Sequence, residues 1–213
     1  MDEHLLRFDK TSELVFIDME TENLCLHMDY NLPWQVAMLS VKGSEVVDYY
    51  NQYLKWHRPF NVSQGAAIAT RYDAPKVERL GIPAREVVER TVEWTDRARY
   101  IIGHNFIGFD IYLLIKFYVM CGRSIKGLAE KMIDTHPIAK GLKLQDFFDP
   151  KKSTLLEYQY RMVHTIAKGV KTNTLTLGKE LEIEHDYENL HDAYVDLQLL
   201  IKIWNKLKYQ VDI

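Results

Sequence analysis

Two carboxylates follow a short apolar run near the start of the chain. The residues Leu14-Val15-Phe16-Ile17 precede Asp18 and Glu20. Such a run is typical of a strand buried on both faces. Because residues i and i+2 of a strand point to the same face, the two carboxylates should lie side by side at the strand's end. Two anions this close repel each other unless a cation binds between them or one is protonated. The alternative is a strand end whose acids simply reach solvent.

A third acid lies where a predicted strand gives way to a predicted helix. The segment Gly103–Asp110 has the sequence Gly-His-Asn-Phe-Ile-Gly-Phe-Asp and follows the short apolar strand candidate Tyr100–Gly103. Ligands favour the carboxyl ends of strands in α/β sheets. Asp110 also gains from the helix dipole whatever its role, so a simple helix-capping acid is the alternative.

The last chemically interesting segment contains a histidine and two acids near the C-terminus. It runs His191-Asp192-Ala193-Tyr194-Val195-Asp196, and the small Ala193 permits close approach to another element. Asp192 and Asp196 share a helix face, so spacing alone leaves open which of them would be a ligand. Taken alone, His191 fits an ordinary residue at a helix start as well as a catalytic group.

Taken together, these segments resemble the motifs of the DEDD 3′→5′ exonucleases. The family's D-x-E-T motif is matched by Asp18–Thr21, and its G-H-N-x-x-F-D motif by Gly103–Asp110 with a small length difference. Its H-x-A-x-x-D motif is matched by His191, Ala193 and Asp196, which selects Asp196 over Asp192. Because of the histidine, the resemblance is to the DEDDh branch, which includes proofreading exonucleases, RNase T and oligoribonuclease. Weaker likeness extends over most of the chain, including Ile133-Asp134-Thr135.

The resemblance implies a fold and a metal site. The fold would be an α/β, RNase H-like mixed five-stranded sheet, with its first three strands antiparallel and helices around it. Asp18, Glu20, Asp110 and Asp196 would bind two divalent ions, and His191 would be the general base. Oxygen-only ligands suit Mg²⁺ or Mn²⁺ better than zinc. Two such ions can clamp a scissile phosphate, and a histidine can accept the proton of the attacking water near neutral pH.

The resemblance also implies contacts to the substrate. Thr21 and Leu24 occupy the positions that hold the terminal nucleotide and wedge beside its base, and the second motif adds His104, Asn105 and Phe109. The aromatic ring of Phe109 suits stacking on a base or packing in the core equally well. Many relatives have Thr-Gly where this chain has Glu22-Asn23, which leaves the path of this loop open.

The remaining pattern predicts the elements that position these residues. Alternating and apolar runs predict a hairpin over Trp34–Val41 and Val46–Trp56. Helices are predicted from Asp73 onward, over Ala84–Arg97, Asp110–Met120, Thr172–Leu181 and Asp192–Leu207, with a brief strand at Met132–Thr135 and an uncertain helix around Leu155–Ile166. We expect one domain over residues 1–213, with a family-variable insertion around 140–171. The lysines of that region suit either phosphate contacts or a solvated surface loop.

Composition limits the class of protein. The chain has 213 residues, a net charge of −3 and 47% hydrophobic residues, ordinary values for a globular protein. The charge argues against a nonspecific nucleic-acid coat protein, and no glycine motif for phosphates follows the first strand. Apolar runs such as Ile111–Ile115 are too short to cross a membrane. The N-terminal residues 1–4 do not resemble a signal peptide, and Cys25 and Cys121 fit a reducing compartment, so we expect a cytoplasmic protein.

These observations lead to a functional hypothesis with two alternatives. We expect a metal-dependent 3′→5′ exonuclease that releases 5′-mononucleotides from single-stranded nucleic acid, with DNA slightly preferred over RNA. Its partners would be single-stranded DNA or RNA 3′ ends and, as a further option, a polymerase or another replication or repair protein. The first alternative is an RNA-trimming exoribonuclease or oligoribonuclease of the same fold. The second is a polymerase-associated nucleic-acid-binding module without turnover.

Overall fold

The computed structural model describes residues 5–27 and 30–213. Met1–His4, which entered the expectation about a signal peptide, lie outside these residues. In the described part of the chain, six strands form one sheet. Their bounds are Glu13–Thr21 (β1), Pro33–Lys42 (β2), Glu45–Lys55 (β3), Ile82–Pro83 (β4), Tyr100–Gly103 (β5) and Met132–Asp134 (β6). The helices are Gln64–Thr70 (α1), Ala74–Leu80 (α2), Ala84–Arg97 (α3), Asp110–Met120 (α4), Thr135–Leu144 (α5), Leu155–His164 (α6), Thr174–Glu180 (α7) and Ala193–Leu207 (α8).

The sheet has the predicted mixed topology. Its strand order is β4-β3-β2-β1-β5-β6. The first three strands pair antiparallel, whereas β5 pairs parallel to both β1 and β6. The sixth strand, which the prediction of five did not include, is the two-residue β4 beside Leu54 and Lys55. It is short and lies at the edge because Pro83 has no backbone N–H to donate to a neighbouring strand.

The central strand β1 is buried on both faces, as its apolar run predicted. Val15 and Ile17 belong to a core that also contains residues of α3 and α4. Phe16 belongs to a second core, formed with residues of α5, α7 and α8. Because side chains alternate along a strand, Asp18 and Glu20 continue the row of Phe16, on the face covered by α8.

The helices agree with the prediction in the long amphipathic segments and differ in the short ones. Helices α3 and α4 have the predicted bounds, and α8 begins one residue later than predicted, after Asp192 as its N-cap. The helix predicted around Leu155–Ile166 is present as α6, and Thr154 and Glu157 form a capping box at its start.

Helices α1 and α5 were not predicted. Pro137 and Gly141 obscured the pattern of α5. Pro137 lies in the first helical turn, where a missing N–H costs little. A Cβ on Gly141 would collide with the hydroxyl of Tyr158, so glycine is required there by packing.

Two expectations about domain organisation stay predictions. The stretch 140–171 contains the end of α5, a loop and α6, and its description as a family-variable insertion stays a prediction, as does the single domain. Among the described residues, no helix is long and apolar enough to cross a membrane.

Candidate active site

Three carboxylates from the two ends of the chain converge at one edge of the sheet. Asp18 and Glu20 come from the end of β1, and Asp196 comes from the first turn of α8. One carboxylate oxygen of each lies within 4.8 Å of the others. Helix α8 brings Asp196 there because its apolar side packs on β1 and β2, and because Ala193 is fully buried at its start.

Asp110 is the fourth acid at this edge. It is the first residue of α4 and is 6% exposed. It does not belong to the group of three, yet its charge contributes to raising the pKa of both Asp18 and Glu20. The structure therefore places all four predicted ligands in one electrostatically connected cluster.

The carboxylates of this cluster resist ionisation. Burial, followed by the charge of Asp196, raises the pKa of Glu20 to about 8. Burial likewise raises the pKa of Asp110 to about 8 and that of Asp196 to about 6. The pKa of Asp18 also lies well above its ordinary value, because of burial and then of the neighbouring acids. Removing these charges from water is costly in the absence of a cation.

The donor set fits divalent cations. Among the described residues, no lysine or arginine forms an ion pair with Asp18, Glu20, Asp110 or Asp196. The site therefore has two buried and two half-buried acids. Arg71 lies near enough for its charge to lower the pKa of Asp196, but it forms no ion pair with any of the four. Carboxylate oxygens are the ligands that Mg²⁺ and Mn²⁺ prefer. This combination suits a metal site.

The structure separates the two acids that sequence spacing left equivalent. The Asp192 carboxylate accepts hydrogen bonds from the backbone N–H groups of Tyr194 and Val195, at 3.0 and 3.4 Å. It therefore caps helix α8. Asp196, one turn later, faces Asp18 and Glu20 instead. Asp192 still lies near enough for its charge to raise the pKa of Asp196.

His191 lies beside Asp196 and contacts it through the backbone. Its backbone is left-handed, with φ of 70°, and its N–H donates to the Asp196 carboxylate at 3.1 Å. The side chain is exposed and lines a cavity of about 290 Å³ together with Gln35, Arg71 and Lys76. Within the described residues, the imidazole has no hydrogen-bond partner, so its ring is available to a ligand.

Asp134 holds the loop that leads to Asp110. This fully buried residue ends β6, and its carboxylate accepts hydrogen bonds from the backbone N–H groups of Asn105, Ile107 and His136, at 2.8, 2.9 and 3.0 Å. The loop needs this support because Asn105 has a left-handed backbone, with φ of 56°. Asp134 was not among the predicted site residues. Its signal was an acid between a strand and a helix, the same context as Asp110.

The predicted substrate-contact residues near β1 lie in a well-anchored loop. Thr21 is buried and donates its hydroxyl to the carbonyl of Asn23, whereas Leu24 is 85% exposed. Glu22 is buried and accepts two hydrogen bonds from Arg58 at 2.7 and 2.8 Å. Its carboxylate also accepts the backbone N–H groups of Leu32 and Asn61. The ion pair between the buried Glu22 and the half-buried Arg58 thus holds the loop that the sequence left open.

The predicted contacts in the second motif differ in their accessibility. His104 is half-buried and its Nδ1 is hydrogen-bonded to the Thr135 hydroxyl at 2.9 Å. Burial lowers its pKa to about 3, so the ring is neutral. Asn105 is exposed. Phe109 is half-buried and packs against the core, which favours the packing alternative for most of its ring. Contact of these three residues with a substrate stays a prediction.

Comparison with solved structures identifies the class of fold. A structure of exonuclease I, described for what it suggests about processivity, has a TM-score of 0.71 and 18% identity over 93% of this chain and 41% of its own. The zinc-bound complex of E. coli exonuclease I with single-stranded DNA has a TM-score of 0.73 and 17% identity over 94% of this chain and 41% of its own. The complex of E. coli exonuclease I with a dA16 oligonucleotide has a TM-score of 0.71 and 17% identity, over 94% and 43%.

These similarities establish the fold, which is RNase H-like as in exonuclease I. This chain spans only about two fifths of the length of those structures. No protein-family model and no curated protein sequence matches the chain. The fold therefore rests on the structure, and the chemistry on the residues that the fold brings together.

Proposed function

We propose that this protein is a divalent-metal-dependent 3′→5′ exonuclease that hydrolyses single-stranded nucleic acid to 5′-mononucleotides. The observation that carries the proposal is the convergence of Asp18, Glu20 and Asp196, with oxygens within 4.8 Å, beside the buried Asp110. This cluster lies at the edge of an RNase H-like sheet. Its motifs resemble the DEDDh exonucleases, and structures of similar fold contain single-stranded DNA.

Each group in the site has a role in this proposal. Asp18, Glu20, Asp110 and Asp196 bind two Mg²⁺ or Mn²⁺ ions. When bound, these ions supply charge stabilisation for the phosphate and activation of the attacking water. A ring nitrogen of His191 accepts the proton of that water as its oxygen bonds to phosphorus. The bond from phosphorus to the 3′ oxygen breaks, that oxygen takes up a proton, and a 5′-mononucleotide leaves.

The substrate contacts are proposed from the motif resemblance and from side-chain exposure. Thr21, Leu24, His104, Asn105 and Phe109 would contact the terminal nucleotide, with the exposed Leu24 beside its base. We propose DNA as the slightly preferred substrate, because the motif segments contain no residue pattern typical of a 2′-hydroxyl contact. A polymerase or another replication or repair protein is a proposed partner. A cytoplasmic location is proposed from the two free cysteines, Cys25 and Cys121.

A digestion experiment tests the proposal directly. The protein is incubated with 5′-labelled DNA and RNA of the same sequence, in Mg²⁺, in Mn²⁺ and in EDTA. We expect shortening from the 3′ end, release of 5′-mononucleotides and complete inhibition by EDTA. Asp18→Asn is the inactive control, because it removes a ligand charge without changing the side-chain volume.

The outcomes separate the alternatives. Faster digestion of RNA than of DNA would identify the exoribonuclease instead. Tight binding of the oligonucleotide without mononucleotide release, in either metal, would identify a binding module and overturn the proposal of an enzyme. Cleavage that is equally fast in Asp18→Asn would mean that the carboxylate cluster is not the active site.

A further inference from the structure

One stretch in the C-terminal half of the chain contains basic residues but no acidic ones. From Tyr158 to Lys179 the chain contains no aspartate or glutamate, although the protein has a net charge of −3. The same stretch contains four basic residues and one histidine, which are Arg161, His164, Lys168, Lys171 and Lys179. Its centre is the loop Thr165–Lys171 between α6 and α7, which we call the lysine loop.

The lysine loop lies at the same edge of the sheet as the carboxylate cluster. Thr172, which directly follows the loop, is buried, and its hydroxyl is hydrogen-bonded to Nδ1 of His136 at 2.8 Å. The His136 ring lies 5.8 Å from the ring of His104. His104 directly follows β5, whose parallel pairing with β1 places it level with Asp18.

Strand spacing gives the offset of the strand beside the loop. Strands β1, β5 and β6 are consecutive neighbours in the sheet. Neighbouring strands are about 4.8 Å apart, so β6 lies about 10 Å to the side of β1. Thr172 contacts His136, two residues after the end of β6. A strand whose 3′ end is at the carboxylates can reach the loop with its next nucleotides.

The side chains of Ile166, Lys168 and Lys171 in this loop are exposed. A turn with a hydrogen bond from the Val170 N–H to the Ala167 carbonyl places Lys168 at its tip. Gly169 has φ of 83° in this turn, as the third residue of a type II turn requires. Ile166 is 97% exposed. A fully exposed isoleucine beside two lysines is a surface for a base and its phosphates, because stacking and wedge contacts on nucleic acids are apolar.

The structure also shows which cations of this region are already used. Arg161 pairs with Asp146, and Lys143 pairs with Glu180 at 2.5 Å. Lys140 donates to a backbone carbonyl. Within the described residues, the ammonium groups of Lys168 and Lys171 have neither an ion-pair nor a hydrogen-bond partner. These two lysines are therefore the free cations of the lysine loop.

We propose that the lysine loop binds the single strand on the 5′ side of the nucleotide being removed. Lys168 and Lys171 contact phosphates, and Ile166 packs against a base. This inference rests on the proposed exonuclease function and adds a second contact region to it. It would favour long strands over single nucleotides, because only a strand of several nucleotides reaches both the loop and the carboxylates.

The test compares two double variants. Lys168→Ala with Lys171→Ala removes the free cations of the loop. Lys42→Ala with Lys206→Ala removes two exposed lysines at the opposite end of the sheet, so the net charge changes equally. Each is assayed on a 20-nucleotide DNA strand and on the p-nitrophenyl ester of thymidine 5′-monophosphate, which is too short to reach the loop.

We expect the loop variant to raise KM for the 20-nucleotide strand about 10-fold and to change turnover of the ester by less than 2-fold. The salt dependence of strand binding, measured by anisotropy in EDTA, should lose a slope of about 1.4, which corresponds to two phosphate contacts on single-stranded DNA. Ile166→Ala should weaken strand binding without changing this slope. The control variant should match the wild type on both substrates.

Several results would overturn the proposal. One is an unchanged KM and salt slope in the loop variant, which would leave the loop as a surface for another partner, such as an acidic protein. Another is equal loss of ester turnover, which would show a general structural effect. The binding arm separates this inference from the proposed function. If the wild type binds DNA but hydrolyses neither substrate, the exonuclease proposal fails, while a reduced slope still supports the lysine loop.

Discussion

The two sides of the candidate site are held in place very differently. On one side, which we call the carboxylate side, the loop from Gly103 to Asp110 is fixed by the buried Asp134 through backbone hydrogen bonds. On the other, the histidine side, the segment Tyr187–Asp192 is held by the buried Leu190 and by hydrogen bonds at the surface. Arg71 anchors it by donating to the carbonyl of Glu188 and to the side chain of Asn189, contacts that are exposed to solvent.

This difference teaches how the site divides its tasks. Buried hydrogen bonds in a low-dielectric interior are strong and keep ligand positions constant. Exposed hydrogen bonds compete with water, so segments held by them open at a lower free energy. We infer that the carboxylates are prepared for cations in advance, whereas His191 can adjust when a substrate arrives.

The largest effect should come from removing the charge of Asp196, a proposed metal ligand that also accepts the backbone N–H of His191. Asp196→Asn should lower the rate of mononucleotide release at least about 10³-fold, because charge stabilisation by the bound ions is worth several kcal/mol. Single-turnover digestion measures this rate, and circular dichroism checks the fold. Asp192→Asn is the matched control, since asparagine also caps helices, and it should stay within about 10-fold of the wild type. Comparable losses in the two variants would contradict the assignment of Asp196.

A smaller effect is expected on the histidine side. His191→Ala should slow hydrolysis about 10²-fold to 10⁴-fold, the usual contribution of a general base. Binding of Mn²⁺, measured by electron paramagnetic resonance, should stay close to that of the wild type, because His191 is not among the proposed ligands. An unchanged rate would mean that another group accepts the proton.

A substitution on the carboxylate side should weaken metal binding. Asp134→Asn puts an amide N–H against one of the loop's N–H donors and should weaken Mn²⁺ binding and turnover about 10-fold to 100-fold, as for residues that orient metal ligands. Gln159→Met is the control, because Gln159 is equally buried and bonds the backbone of β6 at 2.6 and 3.0 Å without contacting the loop. It should lower the free energy of unfolding but leave Mn²⁺ affinity within about 2-fold. Equal losses of affinity in both variants would remove the special role of Asp134.

The smallest expected effect is on stability without metal. Folding raises the pKa of Glu20 and Asp110 to about 8, so the folded protein binds more protons than the unfolded chain between about pH 4 and pH 8. The free energy of unfolding in EDTA should therefore fall as the pH rises through this window, by at most about 1.4 kcal/mol per pH unit for each such group. Urea unfolding at pH 5 and pH 8 measures this. Mn²⁺ should restore stability at pH 8, and Asp18→Asn should reduce the fall. Stability that rises toward pH 8 in EDTA would contradict the electrostatic description of the site.

Several features were predictable from local sequence patterns. The apolar run before Asp18 predicted a strand buried on both faces, and β1 is buried on both. The periodic segments Ala84–Arg97 and Asp110–Met120 predicted helices with the observed bounds, because long amphipathic patterns carry strong information. Helix α5 was missed because Pro137 and Gly141 weaken its pattern, and their tolerance depends on position in the helix and on contact with Tyr158.

The functional site was predictable in its residues but not in its supports. Residue types and order suggested Asp18, Glu20, Asp110, His191 and Asp196, and their roles stay predictions. Spacing could not separate Asp192 from Asp196, since both lie on the same helix face. The motif resemblance selected Asp196, and the structure adds that Asp192 caps the helix. The roles of Asp134 and of the Glu22–Arg58 pair were not predictable either, because Asp134 contacts Asn105 from 29 residues away and Glu22 contacts Arg58 from 36 residues away.

The sequence by itself determined the order of the main elements and the chemical nature of the candidate ligands, because periodicity and side-chain chemistry are local properties. Tertiary structure alone decided which acids share one site, which lysines are free, and which loops are anchored. These properties depend on distances between segments far apart in the chain. Packing of α8 and α4 against β1 sets those distances, and burial at their junction is what raises the pKa values of the acids and makes the site suited to a cation.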